Sequence, residues 1–103
     1  MKAKSKRIAL KGVLKRELRD PEFSFYYRRE KAIGEIAQLV RGGRLRAGLT
    51  QAQLAEKALS SQVVIARLES GRDDRVPSLD LLERIAGALK AKLLVRLEYK
   101  KVA

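Results

Sequence analysis

Between Gly48 and Gly71 the chain reads GLTQAQLAEKALSSQVVIARLESG. Two helical runs share this stretch, and start and stop signals confine both to a few turns. Gly48 is a good helix stop. Thr50-Gln51-Ala52-Gln53 has the capping-box pattern, in which a hydroxyl caps the helix and an amide three residues on reaches back to the cap N–H. The first helix therefore runs from Thr50 to about Ala58 and buries Leu54 and Ala55. Ser60 or Ser61 caps a second helix, which ends near Ser70 and is stopped by Gly71. Gln62, Val63 and Arg67 fall on one side of it, and Ile65 and Leu68 on another. Helices this short are marginal by themselves in water, so the stretch requires a scaffold from its flanks.

The flanks offer one. Over residues 31–47, Ile33, Ile36, Ala37 and Val40 recur at helical spacing. Gly42 and Gly43 sit inside that run at about 1 kcal/mol each against alanine, so the turn they occupy is either loose or closely packed. Beyond a polar loop at 72–76, Ser78 caps a further helix with Asp80 in its first turn. Its buried stripe is Leu79, Leu82, Ile85, Ala86 and Leu89. Upstream, Leu10, Val13, Leu14 and Leu18 mark a helix over 8–19, after the basic arm MKAKSKR. Asp20-Pro21 ends that helix and starts another, with Asp20 as cap and Pro21 in the first helical position. Phe23, Tyr26 and Tyr27 lie on one side of the new helix.

The period changes near the C-terminus. Leu93, Val95, Leu97 and Tyr99 alternate with the charged Arg96, Glu98 and Lys100, the pattern of a strand with one buried face. A lone strand cannot satisfy its own backbone groups. Its simplest partner is the same strand of a second copy across a two-fold axis, and the alternative is packing onto the preceding helix. The expected fold is mainly α, with about five helices. It comprises a basic arm and helical extension over 1–30, a helix-turn-helix domain over 31–91 and a dimerising C-terminal strand over 92–103.

Composition narrows the function. The 103 residues contain no cysteine and no histidine, which removes thiol catalysis, Cys-based zinc sites and the commonest general base. Asp73-Asp74 and the Glu22/Glu30 pair come with no phosphate loop or nucleophile elbow, so no enzyme activity, cofactor or metal is expected. No apolar run is long enough to span a membrane, and the basic N-terminus lacks a secretory apolar core; a soluble intracellular protein is expected. The net charge of +12 points to a polyanionic partner, nucleic acid first and an anionic membrane surface second. Its distribution is uneven. Residues 1–47 carry 14 Lys/Arg against 5 Asp/Glu, residues 48–91 carry 6 of each, and residues 92–103 carry 4 against 1. The excess flanks the two short helices and is absent from them.

Two short helices joined by a tight turn form a helix-turn-helix, whose first helix braces on the DNA backbone while the second enters the major groove. The chemistry of the second helix agrees: Gln is bidentate to adenine, Arg to guanine, and Val meets a thymine methyl. The segments RLRAGLTQAQLAEKA, SSQVVIARLESG and PSLDLLERIAGAL, in this order, resemble the Xre family, the helix-turn-helix of lambda-type phage repressors. The resemblance covers roughly 33–89. It implies a lambda-repressor-like domain in which Gln51 contacts phosphate and Gln62, Val63 and Arg67 face bases. Thr50, Ser61, Ser70 and Arg72 complete the implied DNA-binding set. It also implies an ion pair between Arg44 and Glu69, which fixes geometry more surely than it adds stability. Leu59 stands where the family's turn usually has glycine, so either the leucine is strained or the turn is rebuilt.

The flanking segments LKRELRDPEFSFYY and KLLVRLEY resemble HigA-type antitoxins of bacterial toxin–antitoxin pairs. That resemblance implies a cytoplasmic, nucleoid-associated homodimer that binds a palindromic operator as a repressor and neutralises a RelE/HigB-like toxin. Leu14, Leu18, Phe23 and Tyr27 would then hold the toxin, and Leu93, Val95, Leu97 and Tyr99 the second copy. The competing expectation is a stand-alone regulator of phage or metabolic type with no toxin partner.

Overall fold

The computed structural model describes residues 19–72 and 75–100. These form four helices: α1 (Pro21–Arg46), α2 (Gln51–Lys57), α3 (Gln62–Ser70) and α4 (Leu79–Ala88). The helix expected over 8–19, with Leu14 and Leu18, lies outside the described residues, as do Asp73 and Asp74.

α1 begins as the sequence dictates. Asp20 caps it, its carboxylate accepting the Glu22 N–H at 3.0 Å, and Pro21 opens the first turn. The two helices expected on either side of residue 30 are one continuous helix of 26 residues, about 39 Å long at 1.5 Å per residue. Residues 25–33 contain no proline, glycine or capping residue, so nothing ends the first run before the second begins. Only the second half reaches the core: Ile33, Ala37 and Val40 are buried, whereas no residue of 21–32 is. The two adjacent glycines behave differently. A Cβ on Gly43 would lie 2.9 Å from Leu89 Cδ1, so glycine there lets α4 approach, while nothing lies within 4 Å of a Cβ on Gly42.

The core forms where α1, α2, α3 and α4 meet. Leu54, Ala58 and Ile65 are fully excluded from solvent, with Val40, Ala55 and Ile85 packed around them. Burying Leu54 and Ile65 contributes about 1.5–3 kcal/mol each. That packing stabilises helices of seven and nine residues, which propensity alone does not hold.

The caps set the element boundaries. Thr50 and Gln53 close a reciprocal box, Gln53 N–H to Thr50 Oγ1 at 3.1 Å and Thr50 N–H to Gln53 Oε1 at 2.9 Å. Ser61 accepts the Val64 N–H at 3.2 Å, and Ser78 the Leu81 N–H at 3.0 Å. Helices α1, α2 and α4 all end in the same double-bonded C-terminal turn, centred on a left-handed residue. That residue is Gly48 after α1, Leu59 after α2 and Lys90 after α4, with φ of 70°, 55° and 57°. In α2 the closing bonds run from Leu59 N–H to Glu56 O at 3.2 Å and from Ser60 N–H to Ala55 O at 2.8 Å. The turn is therefore not rebuilt: it keeps the geometry that glycine prefers and places a leucine in it.

The expected C-terminal β-strand does not form. Residues 91–100 adopt neither helix nor strand, and no strand occurs among the described residues. Leu93 is half-buried beside Ile36 and Leu89 in the groove between α1 and α4. Leu94, Val95, Leu97 and Tyr99 are 74–89 % exposed, so alternation here buries no face. The reason is the one that makes lone strands unstable: the described residues offer this segment no edge to pair with. Among the described residues no helix is long and apolar enough to cross a membrane.

Candidate nucleic-acid interface

α3 has two chemically distinct sides. At about 100° per residue, Ile65 and Leu68 point into the core while Gln62, Val63 and Arg67 spread over the opposite arc. Ile65 is fully buried and Leu68 half-buried; Gln62, Val63 and Arg67 are exposed. The Gln62 and Arg67 side chains make no hydrogen bond or ion pair with any described residue. A side-chain amide, a guanidinium and a small apolar group thus stand unspent on one surface, the combination that distinguishes base edges in a major groove.

The hydroxyls around this surface differ in what they have left to give. Thr50 Oγ1 and Ser61 Oγ each accept a backbone N–H of their own helix, which leaves the hydroxyl proton free for an acceptor such as phosphate. Ser70 is otherwise placed. Its hydroxyl donates to Arg67 O at 2.6 Å and accepts Arg72 N–H at 3.2 Å, so its only proton is already used inside the chain. The Arg72 side chain is exposed.

Behind the surface, three side chains bind α1, α2 and α3 together. Arg44 meets Glu69 through two parallel bonds, Nε to Oε2 at 2.7 Å and Nη2 to Oε1 at 2.9 Å. Arg44 Nη1 also donates to Leu49 O at 2.9 Å. The fork-on-carboxylate geometry allows one orientation only. The two side chains are 12 % and 4 % exposed. The Glu69 hydrogen bonds, aided by its charge and opposed in part by desolvation, push the Arg44 guanidinium above its ordinary pKa. Glu69 Oε1 further accepts Gln51 Nε2 at 3.3 Å. Gln51 is thereby aimed by Glu69, with one amide N–H used and the other available to a phosphate.

Arg41, Gln51 and Ser70 line a solvent-open cleft over this pair, about 290 Å³ in volume. Sequence reasoning missed Arg41. It lies three residues before Arg44 and hence on the same face of α1, which is the signal that would have found it. Arg84 of α4, bound to the turn between α2 and α3, was missed as well. Nothing in a run of helical periodicity marks a side chain that serves another element. Among the described residues there is no cluster of metal-ligating side chains.

A helix-turn-helix family model matches residues 40–95, more than half of the chain. Neither a curated protein nor a solved structure matches it.

Proposed function

The chain belongs to the helix-turn-helix family and is a DNA-binding transcriptional regulator of the Xre type; from that premise we propose that it is a homodimeric repressor of its own operator and the antitoxin of a type II toxin–antitoxin pair. The observation that carries the DNA reading is the division of α3, with Ile65 fully buried while Gln62, Val63 and Arg67 stand exposed opposite it. Gln62 and Arg67 read base edges, Val63 contacts a thymine methyl, and Thr50, Gln51 and Ser61 hold phosphates. Arg72 adds a phosphate contact through its side chain, and Ser70 contributes by ordering the Arg67–Arg72 turn. The test is binding to the tightest duplex selected by the protein from a random pool, against a scrambled duplex. Arg67→Ala should weaken the selected duplex by roughly 5- to 150-fold, the equivalent of about 1–3 kcal/mol, with a much smaller effect on the scrambled one. Equal weakening of both would remove α3 as the reader.

Dimerisation is supported by the tail: Leu94, Val95, Leu97 and Tyr99 are exposed on a segment that is neither helix nor strand and pairs with no strand among the described residues. Pairing with a second copy gives two reading helices related by a two-fold axis and a palindromic site with half-sites about 34 Å apart. Truncation after Lys92 should yield a monomer at micromolar concentration by light scattering; an unchanged dimer would place the interface elsewhere.

The antitoxin role is supported by the N-terminal half of α1, where Phe25, Tyr26 and Tyr27 are exposed and Phe23 is half-buried on turns that contribute nothing to the core. Apolar patches of this kind mark protein partners. The stand-alone regulator remains the second reading, favoured by the excess of 9 positive charges over residues 1–47, which would repel a basic toxin. Co-purification of the product of a neighbouring gene with the tagged chain, abolished by Tyr26→Ser and Tyr27→Ser together, decides between them.

A further inference from the structure

The turn between α2 and α3 sets the pitch of the reading helix, and it contains an unfavourable residue. Leu59 holds φ 55° with its side chain 80 % exposed, so no burial compensates the left-handed backbone. The closing bonds of the turn satisfy the carbonyls of Ala55 and Glu56 but leave those of Ala58 and Leu59 without a backbone donor. One side chain from another helix takes both. Arg84 of α4 donates Nη1–H to Ala58 O at 3.1 Å and to Leu59 O at 2.6 Å. Arg84 Nε lies 3.1 Å from Asp80 Oδ2, one turn earlier on α4, close enough for an ion pair but not aligned as a hydrogen bond. The guanidinium is thus steered from behind by a carboxylate and spends its forward face on the turn.

We propose that Arg84 is a positioning residue for DNA reading: by holding the Ala58 and Leu59 carbonyls against α4, it keeps Leu59 left-handed and fixes the angle at which α3 presents Gln62 and Arg67. The proposal rests on the reading of α3 as the recognition helix. Its physical basis is connectivity. Ser61, the cap of α3, follows Leu59 by two residues, so rotation about Leu59 φ swings α3 about its buried anchor Ile65. Both bonds to the turn come from the same guanidinium nitrogen, so one substitution removes them together. Without Arg84, the Ala58 and Leu59 carbonyls lose their side-chain donor and only the two closing bonds of the turn oppose the strain at the leucine, so the turn relaxes toward negative φ.

The experiment compares the tightest duplex that the wild-type protein selects from a random pool with a scrambled duplex of equal length. Arg84→Met keeps the stem and removes the donors. In protein shown by thermal melting to be folded at the assay temperature, affinity for the selected duplex should fall by at least about tenfold and for the scrambled one by less than about threefold, within the range one misplaced base contact spans. Adding Leu59→Gly, which accepts φ 55° without strain, should restore at least about threefold of the affinity for the selected duplex and leave the scrambled one unchanged. Arg84→Lys, which keeps the charge and a single ammonium, should fall between wild type and Arg84→Met, and it decides the question if Arg84→Met does not fold.

Three results would overturn the proposal. One is an unchanged ratio between the duplexes in the folded Arg84 variants. Another is equal weakening of both duplexes with a salt slope flatter by about 0.9 per site, which makes Arg84 a phosphate contact. The third is recovery by Leu59→Gly of melting temperature but not of the ratio, which makes its role stability alone. Arg67→Ala, run alongside, separates the failures. If it too leaves the ratio unchanged, α3 is not the reader; if it lowers the ratio while the Arg84 variants do not, only the positioning role is removed.

Discussion

Exchanging glycine and alanine at residues 42 and 59 should change stability with opposite signs. Gly42 lies inside α1, and nothing comes within 4 Å of where its Cβ would sit. Gly42→Ala therefore gains the helix-propensity difference of about 1 kcal/mol with no steric offset. At residue 59, φ is 55°. A Cβ there costs about 1–2 kcal/mol, while glycine's greater freedom in the unfolded chain returns about 0.4–1 kcal/mol. Taking the middle of each range, Leu59→Gly should thus be more stable than Leu59→Ala by about 0.5–1 kcal/mol. Alanine is the proper reference, because the leucine beyond its Cβ is mostly in solvent and truncation alone moves little. Thermal melts of the three variants and the wild type measure the effect. With about 4–8 °C per kcal/mol for a domain of this size, Gly42→Ala should melt about 4–8 °C above wild type, and Leu59→Gly about 2–8 °C above Leu59→Ala. If the alanine and glycine variants at 59 melt together, the left-handed turn is absent in solution. Arg84 would then hold no left-handed turn in place, whereas failure at 42 alone would implicate only the packing of α1.

Ile65→Ala removes a fully buried side chain from α3, the proposed reading helix; a drop of about 2–5 kcal/mol is expected in urea titrations, a large share of a small domain's stability. Glu69→Ala leaves Arg44 with only the Leu49 carbonyl and releases Gln51, so the melting temperature should fall, and Arg44→Lys in the otherwise wild-type chain should lower it too, since lysine cannot reproduce the fork on Glu69. Deleting residues 1–7, which hold Lys2, Lys4, Lys6 and Arg7, should weaken selected and scrambled duplexes by similar factors and flatten the salt dependence by up to about 0.9 for each phosphate that the arm neutralises. A deletion that changes the ratio between duplexes instead would mean that the arm reads sequence.

Features carried by a few neighbouring residues were legible in the chain. Thr50-Gln53, Ser61, Ser78, Asp20-Pro21, Gly48 and Gly71 each satisfy or stop a backbone locally, and each does so in the structure. The inward positions of α1 and α3 were legible for the same reason, since Ile33, Ala37, Val40 and Ile65 follow helical spacing. What was not legible depends on distant partners. The aromatic run at 23–27 and the periodic run over 31–47 read as separate helices, but no breaking residue near 30 enforces a boundary. The tail alternates like a strand, yet alternation specifies only what a strand would bury, not whether an edge exists to receive it. Ser70 illustrates the same limit within the candidate site. A hydroxyl at that position suits a phosphate, but its proton is committed to Arg67 O, a fact of geometry that residue type does not carry.

The way charge and apolar surface are distributed follows from one physical division. Base reading needs neutral or singly charged groups held at fixed angles, because discrimination comes from hydrogen-bond geometry. Attraction needs only net charge, which acts over the Debye length and tolerates loose placement. Residues 48–91 carry no net charge and contain the buried anchors Leu54, Ala55, Ala58, Ile65 and Ile85; the positive excess sits before and after them. Concentrating that excess inside the domain would have set like charges against a small core, since only eight apolar residues among those described are buried. Under the proposed reading, placing it on the flanks would leave the reading helix rigid and let affinity change without altering specificity. The same division leaves apolar side chains of the tail and of α1 in solvent. A small domain buries too little apolar surface to be very stable alone, and under the proposed dimer and antitoxin roles those faces are where a second molecule would add stability.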